Sequence, residues 1–156
     1  MPIRKIPLET QIFYHIYNRG YNKQTLFYEH RDYEAFYDRM RLYQKDYPSI
    51  SIFVWCILPN HFHFLLMDKG GGDPCISHYM MRVQQSFSKY FNTRYGEMIK
   101  NGKKSKVFEG RFNAKRIEDD EYLAQVENYI SFNPVKHELV DQIEDWPYSS
   151  FSEIYQ

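Results

Sequence analysis

The sequence predicts an α+β fold: a ferredoxin-like antiparallel sheet with helices packed on one face. Two observations lead to this prediction. Segments with the apolar patterns of strands and helices follow in the order strand, helix, strand, strand, helix, strand, helix. The chain has 156 residues, of which 43% are hydrophobic and 26% charged, the balance of an ordinary globular protein. We therefore expect residues 1–156 to form a single domain.

The first four elements are well marked. Residues 10–18 are rich in β-branched and aromatic side chains and predict a strand. Residues 31–47 place aromatic side chains at helical spacing, and Pro48 ends that helix. Residues 50–58 form a nearly continuous apolar run, which predicts a buried strand. A Pro-Asn turn joins it to a strand over residues 61–68, so the two form a hairpin.

A long helix, a loop and a strand follow. Apolar spacing predicts the helix from Ile76 to near Gly96. Residues 97–106 are polar and basic and predict an exposed loop. Residues 107–117 predict one irregular strand with a kink at Gly110.

The last helix begins after the acidic residues 119–121, which suit its N-terminal dipole. We expect it to run to about Phe132 and to stop at Pro134, because the residue before a proline disfavours helical dihedrals. Its apolar stripe consists of Leu123, Val126 and Ile130. A short turn or helix is expected around residues 149–155.

The charges are balanced overall but unevenly placed. The chain contains twenty Lys and Arg residues and twenty Asp and Glu residues. This balance argues against strong non-specific binding of nucleic acid. Residues 100–116 nevertheless carry only Glu109 against seven cations: Lys100, Lys103, Lys104, Lys106, Arg111, Lys115 and Arg116. A local basic patch is therefore expected on a neutral protein.

Cysteine content and hydropathy indicate a cytoplasmic protein that does not enter a membrane. Cys56 and Cys75 form neither a disulfide framework nor a zinc cluster. The N-terminus lacks an apolar signal region. No uninterrupted apolar run approaches the roughly 20 residues of a membrane span.

His61 and His63 are candidate metal ligands. Side chains alternate faces along a strand, so these two imidazoles point the same way and can converge on one cation. Imidazole suits manganese, zinc, iron, nickel and copper better than magnesium. The alternative is a pair of structural or solvent-exposed histidines at the end of a strand.

Tyr129 and Asn133 form the second constellation. They lie four residues apart, on one face of the last predicted helix. The amide oxygen of Asn133 can ligate a hard cation, and Tyr129 brings a phenol. The alternative makes Tyr129 a boundary aromatic residue and Asn133 a C-cap.

Together these motifs resemble the single-tyrosine HUH transposases, the insertion-sequence and REP-associated tyrosine transposase group. The similar segments are residues 14–20, 58–65, 107–112, 129–136 and 145–150, so the resemblance covers almost the whole chain. It implies an HUH endonuclease-type fold and an enzyme that cuts and rejoins DNA.

The resemblance also implies residue roles. Tyr129 would be the nucleophile that forms a 5′-phosphotyrosine intermediate. His61 and His63 would hold Mg²⁺ or Mn²⁺, with Asn133 as the third ligand. Gln125, one turn before Tyr129, is the alternative third ligand.

The implied substrate is single-stranded DNA that contains a hairpin. The candidate DNA-binding residues are Arg19, Lys103, Lys104, Lys106 and Arg111. His15 and Asn18, at the end of the first strand, are further candidates for phosphate contacts. Members of the group work as monomers or as homodimers, and both states stay open.

Two other functions compete with this one. A DNA-binding or regulatory module with the same fold would bind DNA without cutting it, so loss of the Tyr129 phenol would change nothing. A histidine metalloenzyme acting on small molecules would need a closed pocket and a metal-bound water, and the neutral net charge favours it.

Overall fold

A four-stranded antiparallel sheet forms the centre of the computed structural model, which describes residues 6–100 and 106–152. Its strands are β1 (Phe13–Arg19), β2 (Ile50–Leu58), β3 (His61–Asp68) and β4 (Asn113–Ile117), in the spatial order β2-β3-β1-β4. Three helices accompany it: α1 (His30–Gln44), α2 (Ile76–Lys100) and α3 (Asp120–Lys136). This arrangement confirms the predicted α+β class and the predicted order of elements.

One face of the sheet, the core face, is defined by Phe62 and Phe64 of β3. Both side chains are fully buried, as are Phe36 of α1 and Phe87 of α2. The ring of Phe36 lies 5.0 Å from Phe62 and 5.4 Å from Phe87, between ring centroids. Helices α1 and α2 therefore cover this face, and the aromatic residues between them and the sheet build the hydrophobic core.

The other face, the histidine face, carries the alternate residues of the same strands. His61 and His63 of β3 lie on it, and in β1 Tyr17 pairs directly with His63. Helix α3 packs here, since the ring of Tyr129 lies 5.4 Å from that of His63. The prediction of helices on one face thus describes α1 and α2, whereas α3 lies on the opposite face.

The long helix and the first strand differ from the predicted bounds. Strand β1 begins at Phe13 rather than at residue 10, because Gln11 adopts a positive φ of 61° in a turn. Gly96 does not take the left-handed conformation that ends many helices, so α2 continues to Lys100. The prediction of a loop over residues 97–106 is therefore wrong for its first four residues, and residues 101–105 lie outside the described part of the chain.

The predicted single strand over residues 107–117 is also wrong. Only residues 113–117 form β4, whereas Phe108 makes an isolated bridge to Gly20. Between them, the carbonyl of Gly110 accepts a hydrogen bond of 2.9 Å from the Asn18 side chain. This side-chain contact takes the place of a ladder bond and separates the segment into two pieces.

Helix α3 does not stop at Pro134, as the sequence predicted. The proline is buried within the last turn, and the helix continues to Lys136 with His137 as its C-cap. A proline at this place removes only one backbone donor near the end of the ladder. Asn133 is consequently helical and lies one turn after Tyr129. Of the predicted apolar stripe, Val126 and Ile130 are buried and Leu123 is partly buried.

Residues 146–152, the closing segment, lie along the outer edge of β2. The backbone N–H of Ile57 donates to the carbonyl of Tyr148 at 2.8 Å, and that of Ser150 donates to Trp55 at 3.0 Å. The ring of Tyr148 stacks on Tyr33 of α1, with 3.7 Å between centroids. In the described ranges, no helix has the length and apolar character needed to cross a membrane.

Candidate active site

A cleft with a volume of about 540 Å³ opens at the end of the histidine face. His61 and His63 line it from β3, and Tyr129 lines it from α3. Arg19 and Glu109 contribute its charged rim. The sheet and α3 thus bring four of the predicted site residues, Arg19 among them, together from segments far apart in sequence.

His61 presents one ring nitrogen to the cleft interior. Its Nδ1 lies 2.7 Å from Oδ1 of Asn60, and its Nε2 lies 3.2 Å from Oδ1 of Asn133. Burial lowers the pKa of His61 to about 4, although Asn133 acts in the opposite direction. A neutral imidazole carries one N–H, so His61 can donate to only one of these two amide oxygens. With the N–H on Nδ1, where the contact is shorter, the Nε2 lone pair and the Asn133 oxygen are two facing acceptors, which a cation between them would stabilise.

His63 is more deeply buried, with 5% of its surface exposed. Its Nδ1 lies 2.9 Å from Nε2 of His15, which is also buried. Its own Nε2 is buried and has no hydrogen-bond partner within the described ranges. Burial, together with the charges of neighbouring groups such as His61, keeps the pKa of His63 well below its usual range.

Asn133 completes the group. It is fully buried, and its Nδ2 also lacks a partner among residues 6–100 and 106–152. These same residues contain no group of three or more His, Cys, Asp or Glu side chains suited to a metal ion. A metal site here would therefore need a ligand of another kind, and Asn133 offers an amide oxygen. Gln125, the alternative third ligand, is exposed and lines a neighbouring hollow of about 410 Å³ instead.

Tyr129 lies between these groups and the solvent. Its side chain is 43% exposed, and its ring packs edge-on against His63 at 5.4 Å and His15 at 5.8 Å. The ammonium group of Lys136 lies 5.2 Å from the ring centroid. The phenol is therefore held against the histidines yet open to a large substrate.

The predicted DNA-binding residues do not form one patch. Arg19 lies at the cleft, 3.9 Å from a carboxylate oxygen of Glu109. Lys106 is exposed and lies 5.0 Å from the ring of Tyr21. Arg111 lines a separate cavity beside α2. Lys103 and Lys104 lie outside the described residues.

Two side chains have different surroundings from those the sequence suggested. His15 and Asn18 are buried and bonded within the fold, which does not suit the phosphate contacts first considered for them. The sequence pattern did not indicate His137, at the C-cap of α3, yet it lines the cleft with its ring 5.1 Å from that of His61. The β1–β3 register explains why His15 lies near His63, whereas the position of His137 at the cleft depends on how α3 packs.

The comparisons with known proteins agree with this architecture. A family model described as "Transposase IS200 like" matches residues 9–133, a span that includes both cleft histidines, Tyr129 and Asn133. The chain belongs to this family.

Two curated relatives carry related names. A protein of Haemophilus influenzae with the provisional name REP-associated tyrosine transposase is 35% identical over 111 residues, which cover 67% of this chain and 60% of that protein. The REP-associated tyrosine transposase of Escherichia coli is 31% identical over 108 residues, or 69% of this chain and 58% of the relative. This IS200-like transposase chain thus spans about 60% of the length of the curated relatives it matches.

Solved structures show the same fold. A REP-associated tyrosine transposase bound to a REP hairpin superposes with a TM-score of 0.77 at 22% identity, covering 97% of this chain and 83% of that one. A Deinococcus radiodurans protein with a provisional transposase name gives a TM-score of 0.54 at 11% identity, covering 82% and 95%. Both comparisons show that this chain shares the fold of these two proteins.

Proposed function

We propose that residues 1–156 form a metal-dependent endonuclease and strand transferase for single-stranded DNA, with Tyr129 as its nucleophile. One observation carries the proposal: the buried Nε2 of His63 has no hydrogen-bond partner among the described residues, and the exposed Tyr129 packs against this ring. The His63 ring also lies 5.1 Å from that of His61, whose Nε2 is 3.2 Å from Oδ1 of Asn133. This combination offers both a place for a cation and a nucleophile that a long polymer can reach.

His61, His63 and Asn133 would hold the metal through two ring nitrogens and one amide oxygen. Their donor set fits a divalent ion, because all three atoms are acceptors and two of them face each other. The two imidazoles favour Mn²⁺ over Mg²⁺, although oxygen ligands such as an amide oxygen also bind Mg²⁺. When bound, such an ion polarises a phosphate and stabilises the charge that develops during its displacement.

His15 would hold a proton where the site needs it. If Nδ1–H of His63 donates to Nε2 of His15, the lone pair on Nε2 of His63 stays free. The opposite assignment places a proton on Nε2 of His63, where it finds no acceptor in the described structure. A buried donor without a partner costs about 1–3 kcal/mol, so the first assignment is favoured.

Tyr129 would attack the scissile phosphorus through its phenol oxygen. The new O–P bond replaces the bond to the 3′-oxygen, and the phenol proton passes to the solvent that reaches this exposed side chain. The departing 3′-oxygen takes up a proton from the solvent and becomes a hydroxyl. The 5′-phosphotyrosine keeps a phosphoester bond, so a second 3′-hydroxyl can be joined without ATP. Because Tyr129 contacts the histidines of its own chain, a monomer suffices for this step.

Hairpin-containing single-stranded DNA is the proposed substrate. The fold matches that of a transposase solved with a REP hairpin. Arg19 and Lys23 line the cleft, and Lys136 lies beside the nucleophile, so cations are available for a phosphate backbone. An open cleft also suits a polymer better than the closed pocket expected of an enzyme for small molecules.

A denaturing gel tests the proposal. The protein is incubated with Mn²⁺ and a set of labelled hairpin oligonucleotides, and we expect a covalent adduct that Tyr129→Phe abolishes. Tyr122→Phe, on the same helix and partly buried, is the matched control and should form the adduct. No adduct with any substrate, or an adduct that survives Tyr129→Phe, rejects the proposed chemistry.

A non-cutting DNA-binding module is the alternative function. The observation in its favour is that the described residues contain no group of three or more His, Cys, Asp or Glu side chains that could hold a metal ion. It predicts hairpin binding that is unchanged by Tyr129→Phe, and no adduct from the unmodified protein.

A further inference from the structure

A second cavity, of about 420 Å³, lies between α2 and the segment that precedes β4. Met81 and Gln85 of α2 form one wall, and Arg111 and Phe112 form the other. Met81 is 47% exposed, a large apolar surface for one side chain. The proposed cleavage chemistry uses none of these residues.

This cavity and the active-site cleft share a wall. The side chain of Asn18, which lines the cleft, donates 3.0 Å to Oε1 of Gln84, which lines the cavity. The chain itself makes a second link, because Glu109 lines the cleft and Arg111 lines the cavity. Two residues span at most about 7 Å, so the openings are close neighbours.

The lining suits a nucleobase. Met81 offers an exposed apolar surface for the flat face of a base, with the buried Phe112 behind it in the lining. The amide of Gln85 offers a donor and an acceptor for the edge of the base. Arg111 is exposed and forms no ion pair with any described residue, whereas Arg19 in the cleft is close to Glu109. A free guanidinium beside an apolar slot matches a base together with its own phosphate.

We propose that this cavity, the base pocket, receives an unpaired nucleobase of the DNA strand whose scissile phosphate occupies the cleft. Arg111 contacts the phosphate of that nucleotide, and Gln85 reads the edge of the base. The inference rests on the proposed function, since it requires a single strand in the cleft. It gives the site a way to select the cleavage position by sequence rather than by hairpin shape alone.

Binding of abasic oligonucleotides tests the base pocket. Fluorescence anisotropy is measured for a labelled hairpin oligonucleotide and for versions that lack one base at each unpaired position in turn. We expect one position at which loss of the base weakens binding to the wild-type protein about tenfold. In the double variant Met81→Ala, Gln85→Ala, that penalty should fall below about threefold.

The matched control is Leu42→Ala, which removes a similarly exposed apolar side chain from α1, and it should keep the full penalty. An unchanged penalty in the double variant at every position overturns the base pocket, even if the Tyr129 adduct forms. A penalty that depends on the pocket without any adduct supports the base pocket and rejects the proposed cleavage. No binding of hairpin DNA by the wild-type protein rejects both.

Discussion

Two buried polar clusters, on opposite sides of the sheet, differ in how completely they are hydrogen-bonded. Asp32 of α1 is fully buried, and its carboxylate accepts hydrogen bonds from the hydroxyls of Tyr90 and Tyr95 and from two backbone N–H groups. On the histidine face, Nε2 of His63 and Nδ2 of Asn133 are equally buried but have no partner in the part of the chain that the structure describes.

The first cluster is hydrogen-bonded within the fold, whereas the second leaves buried polar atoms available to the ligand proposed above. The Asp32 carboxylate ties the start of α1 to α2, and every donor around it belongs to the chain. An unpartnered buried polar atom costs about 1–3 kcal/mol, and such atoms are rare in native proteins. Their concentration beside Tyr129 is therefore typical of a functional site rather than of a core.

The largest expected effect concerns the hydrogen-bonded cluster around Asp32. Asp32→Ala should lower the free energy of unfolding by about 3–5 kcal/mol, because it leaves several buried donors without an acceptor and removes half of the capping box at Glu29. Urea unfolding measures the loss. Asp38→Ala, an exposed carboxylate on the same helix, should stay within about 0.5 kcal/mol of the wild type. Similar losses of stability in both variants would show that the buried Asp32 carboxylate stabilises the fold no more than an exposed one.

The next effect concerns the cluster of His63 and Asn133 on the histidine face. Mn²⁺ at one hundred times its dissociation constant should stabilise the wild-type protein by about 2.7 kcal/mol. His63→Leu should lose this gain and yet, without metal, stay within about 1 kcal/mol of the wild type. The lost hydrogen bond to His15 is offset by the removal of Nε2, a buried polar atom without a partner among the described residues. Urea unfolding with and without Mn²⁺ tests both statements, and equal stabilisation of the two proteins would exclude His63 as a ligand.

A smaller effect is expected at His15, which is hydrogen-bonded to the proposed ligand His63. His15→Phe removes the acceptor for Nδ1–H of His63 and should weaken Mn²⁺ binding about 10- to 100-fold. Titration calorimetry measures the affinity without requiring DNA cleavage. His78→Phe, on the exposed surface of α2, is the control and should bind Mn²⁺ as the wild type does. An affinity unchanged by His15→Phe would show that His63 needs no such support.

The smallest effect is a dependence on pH. Burial raises the pKa of Asp32, but the hydrogen bonds from Tyr95, Tyr90 and two backbone N–H groups outweigh it and leave the pKa below its usual value. Such a carboxylate stabilises the fold above its unfolded pKa of about 3.9 and loses this contribution as the pH falls through the folded pKa. Urea unfolding below about pH 4 should therefore show a steeper loss for the wild type than for Asp32→Asn. Parallel curves would contradict the assignment.

Local sequence patterns predicted much of this fold. The hairpin was predicted with its observed bounds, Ile50–Leu58 and His61–Asp68, because both strands are apolar and a proline separates them. The predicted helix ends were wrong where a residue type that often ends helices lies inside one. Pro134 ends many helices but lies inside the last turn of α3, and Gly96 remains helical within α2. Tertiary packing decides between these outcomes, and local sequence does not contain it.

The candidate site was predictable in part for the same reason. Alternation along β3 placed His61 and His63 on one face, and helical spacing placed Tyr129 above Asn133. The sequence did not predict which residues lie around them. The contact between His15 and His63 depends on the β1–β3 register, and the burial of Asn133 depends on how α3 packs on the sheet.

The closing segment also protects the molecule from self-association. Exposed strand edges are templates for pairing with other chains, and a long, apolar edge is the most hazardous. Strand β2 would be such an edge, since it is nine residues long and largely apolar, but the backbone of residues 148–150 already pairs with its outer side at Trp55–Ile57. The opposite edge, β4, has only five residues and carries Lys115 and Arg116, whose charges discourage a neighbouring strand. Both borders of the sheet thus resist aggregation, one by occupation and the other by charge.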